Sequence, residues 1–217
     1  MWKYLIFDID DTLLETFMNS YSIFLALGKQ YWIESIDQNE FLEQYMWWDF
    51  DKNIEHFFGE YDSVENAKQH YNELKKTMLK KKFIDVTYLE ELAGLWYKYW
   101  VLTNGPEVKT IEKLDYLWIK DQCSVIFHSW NMQYKKPNPL VFTQVLEMLG
   151  VDASEIIYIW DALVDYYAAR DAWVAFYAVL TWYTSAEDFI KEWLTEEFIY
   201  EDINSLLLFL LWWKKQQ

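Results

Sequence analysis

Tyr4-Leu5-Ile6-Phe7-Asp8-Ile9-Asp10-Asp11-Thr12-Leu13-Leu14 carries an apolar run directly into three carboxylates and a threonine, then turns apolar again. The pattern is that of a buried strand ending in acid. Uncompensated charge in apolar surroundings is costly, so a strand that delivers Asp8, Asp10 and Asp11 to one edge needs a cation, solvent or substrate to meet them. In open α/β sheets, ligands gather at the carboxyl ends of the strands. Position and charge therefore mark the same residues.

Working outward, composition narrows what this edge can serve. With 217 residues, 53% of them hydrophobic, the chain is long enough for one sizeable core and a smaller insert. A net charge of −16 and a pI near 4.5 argue against a nucleic-acid surface, which needs clustered Lys and Arg, so any phosphate has to be bound locally. The single cysteine, Cys123, has no partner for an internal disulfide, and the chain starts on a strand pattern without a charged-then-apolar leader. A cytoplasmic setting is the expectation. Leu206 to Trp213, the longest apolar run, falls far short of the roughly 20 residues that cross a bilayer.

After Leu14 the apolar spacing becomes helical through Phe17, Tyr21, Phe24 and Leu27. Glu40–Tyr45 and Val64–Lys81 continue the helical pattern, with Asp62 and Glu65 as a capping signal, so residues 16–87 are expected to form an all-helical insert. Lys75, Lys76, Lys80, Lys81 and Lys82 read as a solvated face. Tyr45-Met46-Trp47-Trp48 offers rings for stacking on a base, although packing is the commoner use of such a stretch.

Beyond the insert, Tyr97–Leu102 is a second strand ending at Thr103-Asn104-Gly105-Pro106, where a helix start supplies outward-facing amides suited to an oxyanion. Val125–Phe127 is a third strand. Lys135-Lys136-Pro137-Asn138-Pro139 follows, with prolines on the C-terminal side of Lys136 and a helix that stops at Gly150. Ile156–Ile159 runs into Trp160-Asp161 and then Asp165, and Val174–Leu180 and Phe198–Tyr200 read as closing strands. Strands separated by helices or long loops predict parallel crossovers, an α/β doubly wound sheet formed by residues 1–15 and 88–217.

Four elements of this chain resemble, in order, the motifs of the haloacid dehalogenase superfamily: Asp8-x-Asp10-x-Thr12, Thr103 at a strand end, Lys136-Pro137, and Asp161-x-x-x-Asp165. The resemblance implies a Rossmann-like core with an inserted helical cap, and a Mg²⁺-dependent phosphatase acting on a small-molecule phosphomonoester. It implies Asp8 as nucleophile, Asp10 as acid and base, and Thr103, Asn104 and Lys136 as phosphate-binding residues. Asp8, Asp10 through its carbonyl, Asp161 and Asp165 are the implied metal ligands. Haloacid dehalogenases lack the acid at the position of Asp10, which favours phosphate-ester chemistry here. Asp11 stands where many relatives have glycine. The implied partners are a small phosphate ester and at most a second copy of the chain, with no nucleic acid or membrane. A phosphomutase would keep the same motifs. A catalytically impaired binding protein is the reading if Trp160, in place of a motif glycine, blocks the site.

Fourteen tryptophans against five glycines invert a balance in which glycine is usually about 7% of residues. Trp118, Trp160 and Trp173 stand where the family has glycine, and Trp96, Trp130, Trp182 and Trp193 fall at expected helix ends or loops. UGA codons meant as glycine and written as tryptophan would produce such a set. Overpacking around Asp161 is then expected.

Overall fold

The computed structural model describes residues 3–47, 49–78 and 80–216. The chain divides into two compact units, one of residues 15–81 and one that joins the stretch up to Leu14 with Lys82 onward. The first unit holds helices α1 (Phe17–Gln30), α2 (Gln38–Trp47), α3 (Phe50–Phe58) and α4 (Val64–Thr77). Its core is aromatic: the Phe24 ring lies 4.8 Å from Phe41, 5.3 Å from Phe58 and 5.6 Å from Tyr71. Helix α3 has no counterpart among the expected elements, although Asp49 caps it by accepting from the Lys52 N–H at 2.9 Å. The cap of α4 is Ser63 and not Asp62, whose carboxylate instead accepts from the Ser63 N–H and the Asn66 side chain. Of the aromatic stretch at 45–48, Trp48 lies outside the described residues.

The second unit is a six-stranded sheet of β1 (Tyr4–Phe7), β2 (Lys98–Leu102), β3 (Cys123–Phe127), β4 (Ile156–Trp160), β5 (Ala175–Val179) and β6 (Ile199–Tyr200). Its order is β3-β2-β1-β4-β5-β6 and every pairing is parallel. Helices α5 (Val86–Gly94), α6 (Glu107–Leu117), α7 (Leu140–Leu149), α8 (Leu163–Asp171), α9 (Ala186–Lys191) and α10 (Ile203–Lys215) complete it. The two-residue period of the strands sorts their side chains to the two faces. Leu5, Phe7, Val101, Ile157, Ile159 and Val179 pack with α5, α6 and α10, whereas Ile6, Leu102, Tyr158, Phe176 and Ala178 pack with α7, α8 and α9. Both faces are covered, which is the doubly wound α/β architecture expected from the sequence.

The sheet unit resumes at Lys82, six residues before the expected boundary, because Phe83 and Ile84 join the core beneath α5 and α10. The Phe83 N–H donates to the Leu13 carbonyl at 2.9 Å, and Leu14 bridges Lys82 in antiparallel sense. Among the described residues no helix is long and apolar enough to cross a membrane.

Removing bulk from the middle of the sheet should be costly. Ile157→Ala, at a position with no solvent exposure, is expected to lose about 2–5 kcal/mol in urea unfolding, whereas Leu208→Ala, 48% exposed on α10, should stay within about 0.5 kcal/mol.

Candidate active site

Strand β1 lies in the middle of the sheet, and Phe7 is in register with Val101 of β2 and Ile159 of β4. Three strand ends therefore converge: Asp8 follows β1, Thr103 follows β2 and Asp161 follows β4. The chain turns back at once after Asp8, since Leu13 and Leu14 both donate to the Ile9 carbonyl, at 3.0 and 3.1 Å. Asp11 sits in that turn at φ 55°, a left-handed conformation that glycine adopts freely and Asp tolerates. This accounts for the glycine expected there in relatives. The Thr181 hydroxyl closes the turn by donating to the Asp11 carbonyl.

Lys136 is drawn into the same point. Its ammonium donates to Asp8 Oδ1, to the Leu102 carbonyl and to the Tyr158 hydroxyl, each at 3.0 Å. The Lys136 and Asp8 side chains are only 1% and 2% exposed. Asn104 fixes the lysine loop from below: its Oδ1 accepts from the Lys136 N–H at 3.0 Å and its Nδ2 donates to the Lys136 carbonyl at 2.9 Å. The Asn104 side chain is thus engaged by the Lys136 backbone, and the phosphate contact expected of Asn104 from the sequence falls to its backbone N–H. Thr103 is buried, and its hydroxyl accepts from the Gly105 N–H at 3.1 Å. The Trp160 ring centroid lies 2.8 Å from the Lys136 ammonium.

The acids around this lysine are under electrostatic stress. Burial, only partly offset by Lys136, raises the Asp8 carboxyl to about 6, with Asp10 adding to the rise. Burial raises Asp165 to about 8 against the pull of Lys136, and it raises Asp161 well above the carboxylate range despite the hydrogen bond from Thr12. Asp8 Oδ2 and Asp165 Oδ1 are buried without a hydrogen-bond partner. Two orphaned carboxylate oxygens beside a third buried acid suit a hard divalent cation, whose preferred ligands are oxygens. Asp8, Asp161 and Asp165 thus fit Mg²⁺ in donor chemistry. Among the described residues no three His, Cys, Asp or Glu side chains are gathered closely enough, as they stand, to hold a metal ion. Instead, the Thr12 hydroxyl holds Asp161 Oδ1 at 2.7 Å and Lys136 holds Asp8 Oδ1.

Asp10 stands apart from this buried set. Both of its oxygens accept from Lys113 of α6, at 2.5 and 2.7 Å, and the pair is only partly buried. Lys113, Thr12, Tyr158 and Thr181 are site residues that sequence reasoning missed. Thr12 was within reach, since it closes the opening motif. Lys113 sits in an ordinary amphipathic helix and Tyr158 in a strand that reads as wholly apolar, so neither carries a local signal.

A family model described as haloacid dehalogenase-like hydrolase matches residues 5–179. The chain is 33% identical over 72 residues to a phosphoglycolate phosphatase of Neisseria gonorrhoeae, covering 33% of this chain and 30% of that protein. It is 34% identical over 84 residues to a glyceraldehyde 3-phosphate phosphatase of Pyrococcus abyssi, covering 38% and 35%. The matches span about a third of the length of these two curated relatives. Among solved structures, a Thermotoga maritima protein assigned provisionally as a beta-phosphoglucomutase superposes with a TM-score of 0.80 at 20% identity, over 96% of this chain and 98% of that one. A hydrolase of Geobacter sulfurreducens superposes at 0.62 and 21% identity, over 89% and 97%. These two likenesses are of fold.

The raised acids set a pH dependence whose sign is fixed. The folded protein keeps protons on Asp8 and Asp165 that the unfolded chain, at 3.8, releases, so the stability these two acids contribute in EDTA is full below about pH 4 and is lost as pH rises through 6 and 8. Millimolar Mg²⁺ should recover the melting temperature at pH 8 and change it little at pH 5. Thermal unfolding across that range, with and without the metal, measures both.

Proposed function

This chain belongs to the haloacid dehalogenase-like hydrolases, and from that premise we propose that it hydrolyses small phosphomonoesters through an aspartyl-phosphate on Asp8. The observation that carries the proposal is the buried Asp8–Lys136 pair at the head of β1, with Thr103 and Asp161 at the heads of the flanking strands. In a protein of net charge −16, a phosphate dianion needs a local cation, and Lys136 supplies one that is already desolvated and aimed. Mg²⁺ held by Asp8, Asp161, Asp165 and the Asp10 carbonyl would add positive charge against the phosphoryl oxygens.

In the first half-reaction an Asp8 oxygen forms a bond to phosphorus as the ester oxygen leaves with its electron pair. Asp10, released from Lys113 and entering the step protonated, gives that oxygen its proton and is left as the carboxylate. In the second, water attacks the same phosphorus, Asp10 takes the water's proton, and the Asp8–phosphorus bond breaks to return the carboxylate and inorganic phosphate. Lys136 and Thr103 hold the phosphoryl oxygens through both steps, while Asn104 and Tyr158 keep Lys136 in place. Two-carbon and three-carbon phosphates are the first substrates to try, given the names of the relatives.

A release assay tests this directly: phosphoglycolate, glyceraldehyde 3-phosphate, sugar phosphates, nucleotides and an aryl phosphate with Mg²⁺ should include at least one that yields phosphate. Folded protein that releases none would overturn the proposal, and phosphoryl transfer without release would assign a mutase. Asp8→Asn is expected to abolish both turnover and covalent phosphate incorporation. Asp10→Asn should cost about 10²–10⁴-fold on alkyl esters and far less on an aryl phosphate, whose leaving group departs without a proton. Equal losses on the two substrates would remove Asp10 from the acid role.

A further inference from the structure

Among the described residues, five helices end in the same way. At Trp32, Trp96, Trp118, Trp173 and Trp193 the backbone turns left-handed, with φ of 63°, 71°, 64°, 59° and 74°. Each of these N–H groups donates to the carbonyl three residues back, and the next residue donates to the carbonyl five back, as in Trp96 to Ala93 at 3.0 Å and Tyr97 to Leu92 at 3.2 Å. The next residue is apolar every time: Ile33, Tyr97, Ile119, Val174 and Leu194. These are the bonds of the Schellman motif, whose left-handed position belongs to glycine because a Cβ there crowds the following carbonyl. The protein also contains a glycine in this left-handed position, although its N–H donates four residues back, to the Leu146 carbonyl. After α7, Gly150 has φ 63° and ψ 40°, nearly the conformation of Trp118 after α6, at φ 64° and ψ 30°.

The side chains do nothing that would offset the strain. Trp32, Trp96, Trp118, Trp173 and Trp193 are 93%, 88%, 76%, 88% and 89% exposed, although indoles are among the side chains that gain most from burial. Trp118 has the Lys82 ammonium 4.1 Å over its ring, a contact worth little at so open a site. Among the described residues, six other than glycine have positive φ; five are tryptophan and the sixth is Asp11. A residue type that avoids both left-handed backbone and full exposure is concentrated where both coincide. Trp130 and Trp182, grouped with them from the sequence, are outside the positive-φ set, and Trp32, unnoticed there, belongs to it.

We infer that the residue encoded at positions 32, 96, 118, 173 and 193 is glycine, through UGA codons that the source cell reads as glycine, and that 160 is a sixth such position. Trp160 is included on spatial grounds: it ends β4 with its ring against the Lys136 ammonium, at 2.8 Å from centroid to nitrogen. Glycine at 160 opens the space beside Lys136 where a phosphoryl group has to enter, a consequence that rests on the proposed phosphatase reading. The inference at the five helix ends does not.

The codons come first. UGA at the five helix-end positions and at 160 is expected, and UGG at the five would overturn the inference. Independently, a chain with glycine at all five should melt higher by about 10 °C or more, taking a few degrees per relieved position. The reciprocal Gly150→Trp, at a site where an added Cβ meets nothing within 4 Å, should lower the melting temperature by a few degrees from backbone strain alone. No rise in the first and no fall in the second would remove the strain on which the inference stands. Trp160→Gly should increase phosphate release at least several-fold. If neither form releases phosphate while the codons and melting shifts come out as expected, the enzymatic reading fails and the glycine assignment holds.

Discussion

A buried ion pair holds this site together. Asp8 and Lys136 meet at 3.0 Å with almost no solvent, so each is tolerable only because of the other. Breaking such a pair by removing one partner commonly costs about 3–5 kcal/mol, since a charge is left buried and alone. The lysine is also what ties three strands to one loop. Its ammonium reaches Asp8 after β1, the last carbonyl of β2 and the Tyr158 hydroxyl of β4, and its backbone is held by Asn104. The order β3-β2-β1-β4-β5-β6 makes this possible, because only a central β1 has β2 and β4 on its two sides.

One lysine does not neutralise the acids around it. Asp161 and Asp165 are as buried as Asp8, and Asp8 and Asp165 each keep an oxygen without a hydrogen-bond partner. Such an arrangement is tense while it contains only protein, and an oxygen-seeking cation or protons relieve it. The acidity of the whole chain, −16 in net charge, is concentrated here at one end of the sheet. Asp10 is kept out of this competition by Lys113, to which it is ion-paired at a partly exposed position.

Strain of another kind runs through the helix ends. A left-handed residue lets a helix stop in one step and sends the next apolar side chain back into the core, as Tyr97, Ile119, Val174 and Leu194 all do. That construction places β2 after α5 and β5 after α8, so the ends of the helices set where the strands begin. Tryptophan keeps the hydrogen bonds of the motif and adds backbone crowding and an exposed ring, which is why the fold persists while those positions look foreign to it.

Much of this was legible in the chain itself. Apolar runs ending in Asp8, Thr103 and Asp161, and Pro137 after Lys136, are local patterns, and local patterns determine strands, turns and the side chains that must stand at their ends. Helix α3 escaped because its signal, the Asp49 cap and a short apolar stripe, is brief beside the longer helices around it. Asp62 reads as the cap that Ser63 provides, since neighbouring residues of similar propensity differ only in backbone conformation. What sequence could not determine is which distant groups share a buried space. Thr12 and Asp161 are 149 residues apart, Asp10 and Lys113 are 103 apart, and the Asn104 side chain spends its hydrogen bonds on Lys136 across 32. Those pairings follow from strand order and register. The shifted acids follow from burial, which exists only once both faces of the sheet are covered.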